Sequence, residues 1–192
     1  MQDCASVPGL AVAEALYGRP QWREYDLGDA GDDARFWEVW HKRQAEVVLV
    51  MLRPDGRLVL QTKAIYPSGA YRIPTGGILR DEPLLDALAR ELREETGQQA
   101  RVRCLLGVLC YRFRRAGVAH DRQSYVFLLD IGPEPLRPED GEEEISAYRE
   151  VRLEDLPAVA ADLECRPGEW AVWGRFRALV HWFVAGALGC DA

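Results

Sequence analysis

The segment Gly76–Gln98 reads GGILRDEPLLDALARELREETGQ and constrains this chain more than any other. It predicts one short helix that starts near Asp81 and stops at Gly97. Residues four apart share a helix face, so Glu91 and Glu95 lie close enough to repel each other. Their crowding predicts a bound divalent cation, and carboxylate ligands favour Mg²⁺ or Mn²⁺. The charged positions of the segment are Glu82, Arg90, Glu91, Glu94 and Glu95.

Two glycines, Gly76 and Gly77, precede this helix. A glycine backbone lets a ligand approach closely, and a helix N-terminus favours anions. We also expect Arg90 to orient Glu94, four residues on, through a charge-assisted hydrogen bond. Together these features predict attack of a metal-activated water on a phosphoanhydride. The alternative interpretation is a solvated acidic helix face with i,i+4 ion pairs.

Strand patterns flank the helix on both sides. The apolar run Ala45–Leu52 is typical of a strand buried on both faces, and a turn at 53–56 leads to a partner strand at 58–62. A short strand, Tyr71–Pro74, is predicted just before the glycines. Together with helices on its faces, these strands predict a mixed sheet. The remaining predicted elements are strands at 102–112, 123–131 and 145–153 and a C-terminal helix at 169–186.

We predict that residues 1–43 form an N-terminal extension and that residues 44–192 form one domain, which includes the C-terminal helix. Ala11–Tyr17 predicts a short helix. The aromatic residues Phe36, Trp37 and Trp40 have helical spacing and are expected to pack on the main domain or on a partner subunit. Stacking of these rings on a substrate is the alternative.

The net charge and the cysteine content limit the classes of function that this chain can have. A net charge of −7 argues against binding nucleic acid through its phosphates, which needs a basic face. The five cysteines are scattered, with no CxxC motif, and predict reduced thiols in a cytoplasmic protein. Because no signal peptide and no apolar run of about 18 residues occurs, no membrane attachment is expected.

The spacing of the central segment resembles the Nudix box, G-x5-E-x7-R-E-U-x-E-E-x-G-U, in which U is a bulky aliphatic residue. Every fixed polar and glycine position from Gly76 to Gly97 is matched, and Gln98 replaces the last aliphatic residue. The resemblance implies an α/β Nudix fold, an α/β/α sandwich around a mixed sheet, extending over about residues 43–157. It also implies Mg²⁺-dependent hydrolysis of a nucleoside diphosphate linked to another moiety.

The resemblance also implies roles for individual residues. Glu91 and Glu95 are the implied principal metal ligands, and Glu94 is a further ligand or the catalytic base. Glu82 is an outer ligand or an acid that orients the helix. Arg90, Glu91 and Glu94 form the expected catalytic group. Two ligands are expected outside the helix: the backbone carbonyl of Thr75 and the carboxylate of Glu144, at the end of the acidic loop 139–144.

The sequence leaves the substrate open beyond a small nucleotide-type molecule. The proline expected about sixteen residues past the box in ADP-ribose hydrolases is absent, and Tyr111 matches the tyrosine of dinucleoside-polyphosphate hydrolases poorly. The basic loop 112–122 is a candidate phosphate ligand, with a solvated loop as the alternative. The candidate substrate-binding residues are Arg72, Gly76, Gly77, Tyr111, Arg112 and Arg114.

Two other functions compete with hydrolysis. A non-catalytic Nudix-like sensor of a nucleotide or phosphosugar commonly lacks box glutamates, whereas this chain keeps every one. An isopentenyl-diphosphate isomerase needs a catalytic cysteine ahead of the box, and residues 47–75 contain no cysteine. Homodimers are frequent in the family that the chain resembles.

Overall fold

The computed structural model describes residues 7–31, 37, 43–138 and 144–189, and these fall into two compact units. The first unit comprises Met1–Val48, Thr75–Glu91 and Val102–Phe127. The second comprises Leu49–Pro74, Leu92–Arg101 and Leu128–Ala192. The predictions for Phe36, Trp40 and residues 139–143 of the acidic loop lie outside the described residues.

The secondary structure confirms the predicted α/β class with a mixed sheet. Hydrogen bonds order the strands β1-β5-β6-β2-β3-β7, and β4 also pairs with β2. The helices are α1 (Leu10–Tyr17), α2 (Leu84–Thr96), α3 (Leu156–Glu164) and α4 (Ala171–Gly189). The strands are β1 (Gln21–Asp29), β2 (Ala45–Leu52), β3 (Leu58–Lys63), β4 (Thr75–Ile78), β5 (Ala100–Arg115), β6 (Val118–Ile131) and β7 (Ile145–Val151).

The first unit contains a strand that the sequence did not predict. Strand β1 pairs in parallel with β5, from Gln21 opposite Gly107 to Asp29 opposite Arg114, and Tyr25 stacks on Tyr111 with ring centroids 5.8 Å apart. Its residues are mostly exposed and polar, so no apolar alternation marks it. Pairing with a long neighbouring strand, not intrinsic propensity, makes this segment a strand.

The second unit confirms the predicted hairpin and C-terminal helix. The Gly56 N–H donates to the Arg53 carbonyl at 2.9 Å, which closes the turn between β2 and β3, and β3 pairs antiparallel with β7. Helices α3 and α4 pack closely where Gly174 faces Leu163. A Cβ added at Gly174 would lie 2.1 Å from the Leu163 carbonyl oxygen, so glycine permits this approach.

Two predicted local features are wrong. The basic loop 112–122 is mostly strand, because β5 and β6 continue to a tight turn at Ala116–Gly117 with φ angles of 48° and 79°. Asp81 does not cap α2; it lies in a turn with φ 62°. The Pro83 carbonyl instead accepts the first helical hydrogen bond, from Ala87 N–H at 3.0 Å.

None of the helices in the described ranges combines the length and hydropathy needed to span a membrane.

Candidate active site

Helix α2 carries the motif glutamates on its buried face. Leu84, Ala87 and Leu88 pack into the core from this helix, and Glu91 and Glu95 continue the same face at 2% and 0% exposure. Helical spacing places the two carboxylates one turn apart. Gly97, with φ 62°, ends the helix as predicted, and its N–H donates to the Arg93 carbonyl at 2.8 Å.

The motif glycines, Gly76 and Gly77, lie in strand β4. The predicted strand 71–74 is wrong in position, because β4 begins at Thr75 and includes both glycines. Gly76 pairs with Val47 and Gly77 with Glu46 across β2. The strand starts here because backbone pairing with β2 outweighs the low strand propensity of glycine.

Gly76 is required by the position of Glu91. A Cβ added at Gly76 would lie 2.0 Å from both Cδ and Oε2 of Glu91. The missing side chain therefore makes the space in which the Glu91 carboxylate lies against the β4 backbone. Gly77 has a comparable neighbour, since its added Cβ would lie 1.9 Å from Cδ of Arg43.

Arg90 joins the motif residues of the first unit. Its Nε and Nη2 donate to the two oxygens of Glu82 at 2.7 and 2.8 Å, and Nη1 donates to Glu91 Oε1 at 2.7 Å. Nη2 also donates to the Gly77 carbonyl at 2.8 Å. Orientation of Glu94 by Arg90 stays a prediction.

Glu82 serves as an anchor for Arg90. Its Oε2 also accepts a hydrogen bond from the Leu79 N–H at 2.8 Å. The hydrogen bonds from Arg90 hold the pKa of Glu82 below its usual value; partial burial opposes this shift, and the Leu79 N–H adds to it. Glu82 is therefore charged at neutral pH, and this arrangement favours the helix-orienting role among the two roles expected for it.

Glu95 is held by residues that sequence reasoning missed. In the second unit, Gln61 Nε2 donates to Glu95 Oε1 at 3.1 Å, and Lys63 Nζ lies 3.9 Å from the same oxygen. The Tyr148 hydroxyl donates to the Glu95 backbone carbonyl. Burial, together with the nearby charge of Glu95, raises the pKa of Tyr148, which stays protonated as a donor. Strand alternation alone could not have grouped Gln61 with Lys63, because the pairing of β3 with β7 shifts register between Thr62 and Lys63.

The other predicted ligands have different surroundings. Glu94 is half-buried, Thr75 is 6% exposed, and Glu144 is exposed with φ 50°. The Glu144 carbonyl accepts a hydrogen bond from the Ala64 N–H at 3.1 Å, beside Lys63. Over the ranges that the structure describes, no group of three or more His, Cys, Asp or Glu residues is arranged to hold a metal ion.

A family model decides the classification of the chain. The model of the NUDIX domain matches residues 42–173, which is more than half of the chain. The chain belongs to the Nudix family. This confirms the predicted family and enzyme class, a Nudix-type pyrophosphohydrolase acting on acid anhydrides. Nudix enzymes generally use a divalent metal.

Solved structures similar to this Nudix protein are distant in sequence. The E. coli dihydroneopterin triphosphate pyrophosphohydrolase is 19% identical, with a TM-score of 0.45 over 68% of this chain and 93% of that chain. A C. elegans Ap4A hydrolase is 20% identical, with a TM-score of 0.45 over 71% and 96%. A NUDIX-family hydrolase from Clostridium perfringens is 15% identical, with a TM-score of 0.48 over 76% and 98%. No curated protein matches the chain significantly.

Among the residues expected to bind the Nudix substrate, Arg72 lies in the second unit. It is 2% exposed, and its Nε and Nη2 donate to the Tyr66 hydroxyl at 3.1 and 2.9 Å. The Tyr66 ring in turn packs on Trp173, with centroids 4.8 Å apart. Arg72 thus anchors an aromatic cluster, a neighbourhood that sequence spacing did not predict.

The other expected substrate residues lie in the first unit. Tyr111 is 1% exposed in the core, so its position does not favour stacking on a nucleobase. Arg112 pairs with Asp121 at 2.8 Å, and Arg114 pairs with Asp26 at 2.6 Å, all on exposed strand surface. A phosphate would have to replace these carboxylates to bind there, so neither arginine is favoured as a phosphate ligand.

Proposed function

We propose that this Nudix protein hydrolyses a phosphoanhydride bond in a nucleoside diphosphate linked to another moiety, with Mg²⁺ as cofactor and water as nucleophile. The observation that carries this proposal is the pair of buried carboxylates, Glu91 and Glu95, on one face of α2. Burying two acids of like charge on one helix face is costly unless a cation or a donor offsets them.

The side chains present fit a hydrated Mg²⁺ ion. Carboxylate oxygens are suitable ligands, and Gly76 leaves the space that the Glu91 carboxylate uses. Mg²⁺ keeps several waters and is held by one or two carboxylates plus substrate phosphates. A two-carboxylate site therefore suits it without a cluster of three acids.

Each motif side chain has a role in this proposal. Glu91 and Glu95 would hold the cation, with Glu94 as a further ligand or as the base that takes a proton from the attacking water. Arg90 would keep α2 in register with β4 through the Gly77 carbonyl and Glu82. When bound, Mg²⁺ would lower the pKa of water and offset charge that develops on the phosphate oxygens. Thr75 and Glu144 remain proposed additional ligands.

The substrate is proposed as a small nucleotide-type molecule. A net charge of −7 disfavours polyanion binding in general, so a bound cation would be needed to offset the charge of a phosphorylated substrate. A cytoplasmic location, a homodimer and a domain boundary at residue 43 stay predictions.

A hydrolysis screen with chromatographic detection of the products tests the proposed function, because compounds such as ADP-ribose are split into two phosphate monoesters and release no inorganic phosphate. The panel contains dNTPs, oxidised dNTPs, NDP-sugars, ADP-ribose, dinucleoside polyphosphates, NADH and coenzyme A, each with Mg²⁺ and with EDTA. Turnover of one class that EDTA abolishes and Mg²⁺ restores is the expected result. Thermal stabilisation by a panel member without any turnover would contradict hydrolysis and favour the sensor function.

A further inference from the structure

Three residues outside the Nudix box surround Glu95 in the second unit, and we name them the Glu95 cradle: Gln61, Lys63 and Tyr148. Gln61 and Lys63 contact the carboxylate, at 3.1 and 3.9 Å from Oε1. Tyr148 contacts the opposite end of the residue, its backbone carbonyl. Both the side chain and the backbone of Glu95 are therefore held from β3 and β7.

Strand register brings the cradle together. Gln61 and Lys63 both reach Glu95 from β3, although the pairing of β3 with β7 shifts register between Thr62 and Lys63. Tyr148 lies directly opposite Gln61 in the β3–β7 ladder. The pairing of β3 with β7 therefore brings Gln61 and Tyr148 to the same residue, Glu95.

Because Glu95 is buried, the positive charge of Lys63 contributes to the stability of its carboxylate. Glu95 and Gln61 are 0% exposed, and the Lys63 side chain is 14% exposed. A carboxylate removed from water needs hydrogen bonds and a positive charge nearby to remain ionised at low cost. Gln61 supplies a hydrogen bond without charge, whereas the Lys63 ammonium supplies charge.

We propose that Lys63 is the internal counter-ion of Glu95, offsetting its charge when no divalent cation is bound, and that Gln61 and Tyr148 are positioning residues for the same glutamate. The inference rests on the proposed function, in which Glu95 is a metal ligand. The ammonium and a divalent cation have like charge and face one carboxylate, so they compete. Lys63 therefore stabilises the metal-free protein and weakens its metal affinity.

These two effects have opposite signs, which separates a counter-ion from a residue that only packs. The test uses the full chain and Mn²⁺ alone, with binding measured by isothermal titration calorimetry and melting temperature measured in EDTA. Lys63→Met should tighten the Mn²⁺ Kd by about fivefold or more, because one repulsive charge is removed. Its metal-free melting temperature should fall by about 5 °C, because Glu95 loses its counter-ion.

Two variants serve as controls. Lys63→Arg keeps the charge and should keep the Mn²⁺ Kd within about twofold of the wild-type value. Arg152→Met removes a positive charge from a side chain that is 74% exposed, and it should change the Kd by less than about twofold. A tightening shared by Lys63→Met and Arg152→Met would reflect net charge alone and would overturn the proposal.

A double variant tests the pair without metal. Lys63→Met combined with Glu95→Gln removes both charges and should regain part of the melting temperature that Lys63→Met loses. Simple addition of the two losses, or an unchanged or weaker Mn²⁺ Kd in Lys63→Met, would overturn the inference. Failure of the proposed function is distinct, since the wild-type protein would then show neither Mn²⁺ binding nor EDTA-sensitive turnover, and the inference falls with it.

Discussion

Arg90 binds Glu82 through two parallel hydrogen bonds, Nε to Oε1 at 2.7 Å and Nη2 to Oε2 at 2.8 Å. The same guanidinium donates to Glu91 and to the Gly77 carbonyl, so it connects the turn before α2, the helix and strand β4. The fixed spacing of these motif residues thus has a physical reason. Only a planar fork of donors satisfies a carboxylate and two further acceptors at once.

Arg90→Lys should therefore impair the enzyme despite keeping its charge. An ammonium cannot make the two parallel bonds to Glu82, so we expect kcat to fall by about 10- to 100-fold and the free energy of unfolding to fall by about 2 kcal/mol. Steady-state kinetics and urea unfolding measure the two effects. Arg101→Lys, at an exposed position on β5, is the matched control and should change neither quantity. Equal changes in kcat and in the free energy of unfolding for the two variants would contradict a positioning role for Arg90.

Gly76→Ala should lower activity through Glu91. The added Cβ would lie 2.0 Å from the Glu91 carboxyl group, so that group must move. A displacement of this order costs about 100-fold in rate when it affects a catalytic group. Gly186→Ala is the control, since its added Cβ meets nothing within 4 Å; it should raise stability by about 0.5–1 kcal/mol without changing kcat. Full activity of Gly76→Ala would contradict the role of this glycine.

Glu95→Gln should abolish most Mg²⁺-dependent turnover. The substitution keeps shape and removes the charge, and the loss of several kcal/mol of stabilisation corresponds to more than about 100-fold in kcat. Asp86→Asn, at an exposed position on α2, should leave turnover within about twofold. Initial rates at saturating Mg²⁺ measure both. Near-normal turnover of Glu95→Gln would contradict the assignment of Glu95 as a metal ligand.

His181 should make stability depend on pH. Burial lowers the pKa of His181 to about 4 from 6.5; its hydrogen bond to the Arg177 carbonyl opposes this shift, and the charges of Arg72 and Arg177 add to it. Its Nε2 accepts from the Ile73 N–H at 3.0 Å, which requires the neutral ring. The unfolded chain therefore takes up the proton first as the pH falls. Stability is fully present above about pH 6.5 and falls towards pH 4, by up to about 3 kcal/mol.

Urea unfolding at pH 7, 6 and 5 measures this dependence on His181. Over that range the carboxylates with lowered pKa values, those of Asp26, Glu82 and Asp121, remain charged and add little slope. His181→Gln should be less stable at pH 7 and should lose most of the slope. An unchanged slope in that variant would assign the pH dependence to other groups.

The sequence by itself determined the family and the existence of the helix that carries the Nudix box. The stop at Gly97, the hairpin of β2 and β3 and the residues of the Nudix box follow from local chemistry, because turns, caps and helical spacing involve neighbours in the chain. The start of α2 was placed at the wrong residue, since Asp81 adopts a turn conformation and Pro83 provides the first carbonyl.

Only the tertiary structure decided what surrounds the motif. Strand β1 and the strand that contains Gly76 form through pairing with distant segments, which no local pattern records. The pairing of Gln61 with Tyr148 depends on the register of β3 against β7, and Tyr25 from β1 stacks on Tyr111. Backbone pairing and burial bring together residues that are far apart in the chain. The contacts that surround the Glu95 carboxylate therefore exist only in the folded protein.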